Sequence, residues 1–158
     1  MNGGKYYLCP WIIEGFPEDA GSMTYLEPFA GGASILLNKT PSEMEVLNDL
    51  DASTIQIFRA LRDEPKEFIA RLNRLKYSED TFKKMTKKTH LGQFDDYMDQ
   101  AVTEFALRRM SRKGSGTAFT TSKKSDLNTW TTAIETLPKI SERLQRVHIF
   151  NKRAVEII

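Results

Sequence analysis

The stretch YLEPFAGGASILLNK, residues 25–39, constrains the fold of this chain more than any other segment. A short β-rich run, MTYLE, is stopped by Pro28 and followed by the pair Gly31 and Gly32. The helical run ILLNK comes next, with Ser34 placed to cap it. Because glycine has no Cβ, such a turn lets the backbone come close to a ligand. Strand, glycine turn and helix together are typical of an open α/β sheet that binds its ligand at the carboxyl ends of the strands.

Two further strands are predicted, MEVLN at residues 44–48 and RVHIF at 146–150, with a long helical block between them. Within that block Pro65 opens one helix and Ser78 is placed to cap another. Strands that alternate with helices favour a parallel sheet. We therefore expect an α/β fold with a thin parallel sheet and a mainly helical insert at one edge.

Composition excludes several classes of protein. A net charge of only +2 means that any nucleic-acid binding must rest on local charge. The single cysteine, Cys9, excludes an internal disulfide, and His90 and His148 lack ligand partners, so no metal site is predicted. No run approaches the roughly 20 apolar residues of a membrane span, and the N-terminus is a poor signal peptide. We expect a cytoplasmic protein with no membrane partner.

The predicted second strand ends beside an acidic residue, Asp49, which lies 17 residues beyond Gly32. In α/β folds a carboxylate at about this distance, roughly 20 residues, accepts hydrogen bonds from ribose hydroxyls. The pair therefore fits an adenosine-containing ligand. The dinucleotide pattern G-x-G-x-x-G and the phosphate-loop pattern are both absent, and a glycine turn needed only for tight strand-to-helix packing is the alternative.

A second candidate site is the segment 108–124, which contains six basic residues and no acidic one. Arginine and lysine in such a loop can contact DNA phosphates, and small residues between them allow a close approach. A solvated basic loop is the alternative, and Phe119 either stacks near a base or anchors the loop in the core. The candidate DNA-contacting residues are Arg109, Ser111, Arg112, Lys113, Ser115 and Phe119.

These motifs resemble the adenine-specific DNA methyltransferases of the Dam-like family. YLEPFAGGAS is similar to the family's methyl-donor turn, and NDLD to the acidic end of its next strand. The N-terminal GGK followed by PWI is similar to its opening motif, FALRRMSRKGSGTAF to its DNA-contacting segment, and RLQRVHIFNKRAVEII to the stretch that leads to its catalytic loop.

The resemblance implies a Rossmann-like fold that binds S-adenosylmethionine and transfers its methyl group to the exocyclic amine of adenine in double-stranded DNA. Asp49 would bind the ribose hydroxyls, and residues 1–63 would form the cofactor-binding part. Residues 64–142 would form the helical insert with the DNA-recognition segment, and 143–158 would return to the sheet. The cofactor-binding residues implied are Gly3, Gly4, Lys5, Glu27, Pro28, Phe29, Gly31, Gly32 and Asp49.

The chain departs from the family at one motif. The family's catalytic Asp/Asn-Pro-Pro-Tyr/Phe lies a short way beyond a stretch like RAVEII, whereas this sequence contains no Pro-Pro pair and ends at Ile158. We therefore expect a methyltransferase fragment that carries no catalytic residue of its own. A non-catalytic S-adenosylmethionine- or DNA-binding module is the main alternative, while a nicotinamide-dependent enzyme lacks the third glycine.

Overall fold

A computed structural model describes residues 5–111, 114, 116–120 and 124–158. Three strands form one sheet in the order β1-β2-β3: β1 (Thr24–Glu27), β2 (Met44–Asn48) and β3 (Val147–Phe150). Both pairings are parallel. The predicted parallel α/β arrangement is confirmed, with each strand within one residue of its expected bounds.

Helices fill most of the remaining described chain, and short 3₁₀ turns lie at Lys5–Leu8 and Ala154–Glu156. The helices are α1 (Cys9–Glu14), α2 (Ser34–Asn38), α3 (Ala52–Asp63), α4 (Pro65–Arg74), α5 (Glu79–Leu91), α6 (Tyr97–Met110), α7 (Lys124–Glu135) and α8 (Leu137–Leu144). The segment from α3 to α8 separates β2 from β3, as the helical block predicted.

Local chemistry explains most helix starts. Ser78 caps α5 by accepting a hydrogen bond from the Thr81 amide, and Pro65 is the first residue of α4, so both predictions are confirmed. The prediction that Ser34 caps α2 is wrong. Ala33 holds the cap position with φ +50°, and Ser34 is already the first helical residue. The tight turn before α2 forces this left-handed residue, which leaves no extended position for a serine cap.

One hydrophobic core joins the sheet to the helices. Leu47 of β2 and Val147 of β3 belong to the same buried cluster as Phe58 of α3, Phe105 of α6 and Trp130 of α7. The Trp130 ring packs within this cluster, with its centre 6.2 Å from that of the Phe105 ring. The helical block therefore packs as part of the sheet's own core. Within the described residues, no helix is both long and apolar enough to cross a membrane.

A buried ion cluster, which we call the amino-end cluster, lies at the start of β2 and consists of Lys39, Glu45 and Arg143. Lys39 Nζ is 2.6 Å from Glu45 Oε1, and Arg143 Nη2 is 2.8 Å from the same oxygen. Burial alone raises the pKa of Glu45, but hydrogen bonds from Arg143, Lys39 and the Ser42 amide outweigh it and lower the pKa. The cluster fixes α2, β2 and α8 to one another.

Candidate functional site at the carboxyl ends of the strands

The glycine turn joins β1 to α2, and the backbone conformation of one of its residues favours glycine. Gly31 has φ +50°, a conformation that other residues rarely adopt. A Cβ built on Gly31 would meet no atom within 4 Å, so the space beside its Cα is open. The turn is closed behind by the Ala30 amide, which donates to the Asn48 carbonyl at 2.9 Å. Its open side can therefore receive a ligand without displacing protein atoms.

Asp49 contacts this turn directly. Its Oδ2 accepts the Gly31 N–H at 2.8 Å, and its Oδ1 accepts the Asp51 N–H at 2.9 Å. The parallel pairing of β1 with β2 brings the turn and the carboxylate to one edge of the sheet. The structure thus brings together the two features that the sequence singled out, although they lie 18 residues apart.

Two asparagines that the sequence analysis missed hold the strand ends together. Asn48 is fully buried, donates to the carbonyls of Pro28 and Lys152 and accepts the Lys152 amide at 2.9 Å. Asn151 donates to the Asp49 carbonyl at 2.8 Å. The only sequence signal was an amide side chain at the end of each of two strands. These bonds fix the backbone on which Asp49 stands.

A second charge cluster, the carboxyl-end cluster, consists of Asp49, Asp51 and Arg108. Arg108 reaches from α6 to the start of α3, where it donates to Asp51 Oδ2 at 2.8 Å and to Thr54 Oγ1 at 2.7 Å. Asp51 also caps α3 by accepting the Ser53 amide. Burial on its own raises the pKa of Asp51, but hydrogen bonds from Thr54, Ser53 and Arg108 lower it to about 2.

A cleft of about 530 Å³ opens in front of these groups. It is bounded by the glycine turn, α3, α5, α6 and the loop after α6, and we call it the donor cleft. Its charged residues are Asp49, Asp51, Glu104 and Arg108, three carboxylates against one guanidinium. The cleft therefore favours a ligand that carries positive charge and hydroxyl donors.

The other predicted cofactor residues are distributed differently. Glu27, Pro28 and Phe29 line a separate cleft of about 230 Å³ together with Ile12 and Phe16. Glu27 is buried there, and its Oε2 accepts the Leu36 amide at 3.2 Å. Gly32 lines a third cavity of about 130 Å³ beside Arg109. The structure does not bring these residues into the donor cleft.

The N-terminal part of the prediction is only partly described. Gly3 and Gly4 lie outside the residues that the structure describes, and Lys5 begins the first 3₁₀ turn. This turn contacts α2, which follows the glycine turn.

The predicted DNA-contacting segment begins at the end of α6. Arg109 is exposed, and its guanidinium lies 5.6 Å from the centre of the Phe105 ring. Ser111 is buried and accepts the Gly116 amide at 2.8 Å, while Phe119 packs against Phe82 with ring centres 5.7 Å apart. Phe119 thus anchors the loop on α5. Arg112, Lys113 and Ser115 lie outside the described residues.

Among the described residues, no three His, Cys, Asp or Glu side chains come together in a way that could hold a metal ion. His90 and His148 are both exposed, on α5 and β3.

Comparison with known proteins decides the family. A profile of the D12 class of N6 adenine-specific DNA methyltransferases matches residues 2–158. This chain belongs to that family. The resemblance found in the sequence is therefore confirmed over nearly the whole chain, not in the glycine turn alone.

Named relatives agree with the D12 assignment. The chain is similar to the DNA adenine methylases of two Vibrio cholerae serotype O1 strains, O395 and N16961, at 30% identity over 114 residues, covering 71% of this chain and 40% of each relative. It is also similar to the type II methyltransferase M1.LlaDCHI of Lactococcus lactis subsp. cremoris, at 33% identity over 67 residues, covering 42% of this chain and 22% of that protein. The match to the Vibrio cholerae relatives thus spans 40% of their length.

Proposed function

We propose that this D12 chain forms the donor-binding part of an adenine-specific DNA methyltransferase. In that role it binds S-adenosylmethionine between the Gly31–Gly32 turn and Asp49, for methyl transfer to the exocyclic amine of adenine in duplex DNA. The observation that carries the proposal is the hydrogen bond from the Gly31 amide to Asp49, at the adjoining ends of two parallel strands. The strand order β1-β2-β3 supports a Rossmann-like sheet with its ligand at this edge.

The donor cleft fits such a ligand by size and by charge. Its volume of about 530 Å³ lies within the range of small-molecule sites, about 300–1,000 Å³. Asp49 can accept hydrogen bonds from ribose hydroxyls, and the neighbouring Asp51 and Glu104 add negative potential that suits a sulfonium and an ammonium group. The open space beside Gly31 admits close contact with the backbone. When bound, S-adenosylmethionine supplies an electrophilic methyl group.

The chain's own residues then have two tasks besides binding the donor. Asn48 and Asn151 keep the strand ends, and hence Asp49, in fixed positions. Arg109 and the loop after α6 contact DNA, where extrusion of the target adenine costs a few kcal/mol of lost stacking. No residue among these 158, which contain no Pro-Pro pair, is proposed to accept hydrogen bonds from the adenine amine.

The test is calorimetric titration of the 158-residue chain with S-adenosylmethionine. We expect saturable binding to the wild type and binding at least tenfold weaker to Asp49→Asn, because a hydrogen bond to a charged group is worth about 1.5–3 kcal/mol. Asp19→Asn is the matched control, since Asp19 lies in an exposed loop and the same charge is removed. Equal affinity for Asp49→Asn and Asp19→Asn would remove Asp49 from the site.

A further inference from the structure

A second cleft, of about 550 Å³, lies between α5 and the loop that carries Thr117 and Phe119. Its floor is apolar and includes Phe82, Leu91 and Phe119. Its rim includes the basic residues Lys83, Lys87 and His90 of α5. We call it the α5 cleft; it is separate from the donor cleft, and no motif in the sequence pointed to its α5 wall.

The rim residues form a regular basic stripe. Lys83, Lys87 and His90 are spaced i, i+4 and i+7, so they share one helix face, and all three are exposed. From residue 81 to the end of α5 at Leu91 the helix contains no acidic side chain. The stripe is about 10 Å long at 1.5 Å per residue. Lys83 and Lys87 are about 6 Å apart along the helix axis, so both can contact phosphates of the same DNA strand.

The opposite wall of the α5 cleft belongs to the predicted DNA-contacting segment. Phe119 of that segment packs on Phe82, which holds the loop against α5. DNA laid along the segment would therefore pass next to the basic stripe. The acidic group on the rim, Glu79, already pairs with Lys83 at 2.9 Å, but both side chains are more than 60% exposed, so solvent screens the pair and it gives way easily to a phosphate.

We infer that the α5 cleft is a second DNA-backbone contact surface, in which Lys83 and Lys87 bind successive phosphates beside the strand held by the loop after α6. This inference rests on the proposed function, because it takes duplex DNA as the partner. It adds to that function a phosphate contact on a helix that lies outside the predicted DNA-contacting segment.

The test uses the salt dependence of DNA binding by the 158-residue chain, measured by fluorescence anisotropy with a labelled duplex. Each phosphate contact contributes about 0.9 to the slope of log K against log salt. We expect Lys83→Gln/Lys87→Gln to reduce that slope by about 1.8 and to weaken binding most at low salt. The matched control is Lys66→Gln/Lys139→Gln, which removes the same charge from exposed positions that do not line the α5 cleft.

Three outcomes are distinct. A reduced slope for the α5 variant and a wild-type slope for the control support the inference. Equal slopes for wild type and the α5 variant, or equal reductions in both variants, overturn it, because the effect would then be absent or only a matter of net charge. A wild-type chain that does not bind duplex DNA at any salt overturns the DNA-binding part of the proposed function, and the inference with it.

Discussion

The two charge clusters stand at opposite ends of the same strand, β2, and differ in exposure. In the amino-end cluster the side chains of Lys39 and Glu45 are each only 3% exposed, and the charges satisfy one another. In the carboxyl-end cluster the Asp51 side chain is 49% exposed and faces the donor cleft. The chemistry is similar, a carboxylate bonded to arginine, but only the second cluster can be reached by a ligand.

This difference separates a structural role from a binding role. A buried ion pair is costly to break because removing one partner leaves the other charge without water or a counter-ion. A half-exposed carboxylate is less costly to alter, because solvent screens it. Stability should therefore depend mostly on the amino-end cluster, and ligand binding on the carboxyl-end cluster.

The largest expected effect comes from Glu45→Ala. This change leaves the buried charges of Lys39 and Arg143 uncompensated and should lower the free energy of unfolding by about 3–5 kcal/mol. Urea denaturation followed by circular dichroism measures it. Glu43→Ala, at an exposed position just before β2, is the control and should change stability by no more than about 0.5 kcal/mol. Similar losses in both variants would contradict the structural role of the amino-end cluster.

An intermediate effect is expected for Asp51→Ala. The change removes the cap of α3 and the partner of Arg108, so the free energy of unfolding should fall by about 1–3 kcal/mol. The same denaturation experiment applies, with Asp19→Ala as the exposed control. A loss as large as that of Glu45→Ala would mean that the two clusters do not differ as described.

Acid should weaken the fold through both clusters. The folded-state pKa values of Glu45 and Asp51 lie below their ordinary values, so their contributions are complete above the unfolded pKa and disappear as the pH falls through the folded one. For Asp51 the window runs from 3.8 down to about 2. The free energy of unfolding, measured against pH, should therefore fall less steeply in Asp51→Asn than in the wild type across this window. If the free energies of unfolding of wild type and Asp51→Asn fell in parallel with pH, Asp51 would not contribute to the acid sensitivity of the fold.

The smallest effect on stability is expected for Asp49→Asn. An amide oxygen can still accept the Gly31 N–H, so the free energy of unfolding should fall by no more than about 1 kcal/mol. Thermal melting measures this change. A much larger loss would show that Asp49 is chiefly structural. Weaker ligand binding by Asp49→Asn would then no longer show that Asp49 contacts the ligand.

Features that depend on neighbouring residues could be predicted from the sequence, whereas contacts between residues far apart in the sequence could not. Pro65 and Ser78 were predicted because a helix start depends on a few neighbouring residues. The turn and Asp49 could be paired because parallel strands end at one edge. The partners of Arg108 lie 54 to 57 residues away, and Asn48 bonds a residue 104 positions away, which no local pattern encodes.

Ser34 and the residues just before the glycine turn show what the course of the backbone decides. The assignment of Ser34 as a cap failed because the backbone of the turn, set by the left-handed Ala33, decides where α2 begins. Glu27, Pro28 and Phe29 are neighbours of the turn in sequence, yet they face a different cleft from Gly31. A motif identifies a site, but the course of the backbone decides which side of the site each residue faces.

The most direct test of the central claim is a titration of ¹⁵N-labelled protein with S-adenosylmethionine, followed by amide chemical shifts. The Gly31 amide donates to Asp49 in the free protein, so a ligand that bonds to this carboxylate should shift the Gly31 signal most, with Gly32 and Asp51 next. Shifts confined to the cleft of Glu27 and Phe29, or no shifts at saturating ligand, would contradict binding between the turn and Asp49.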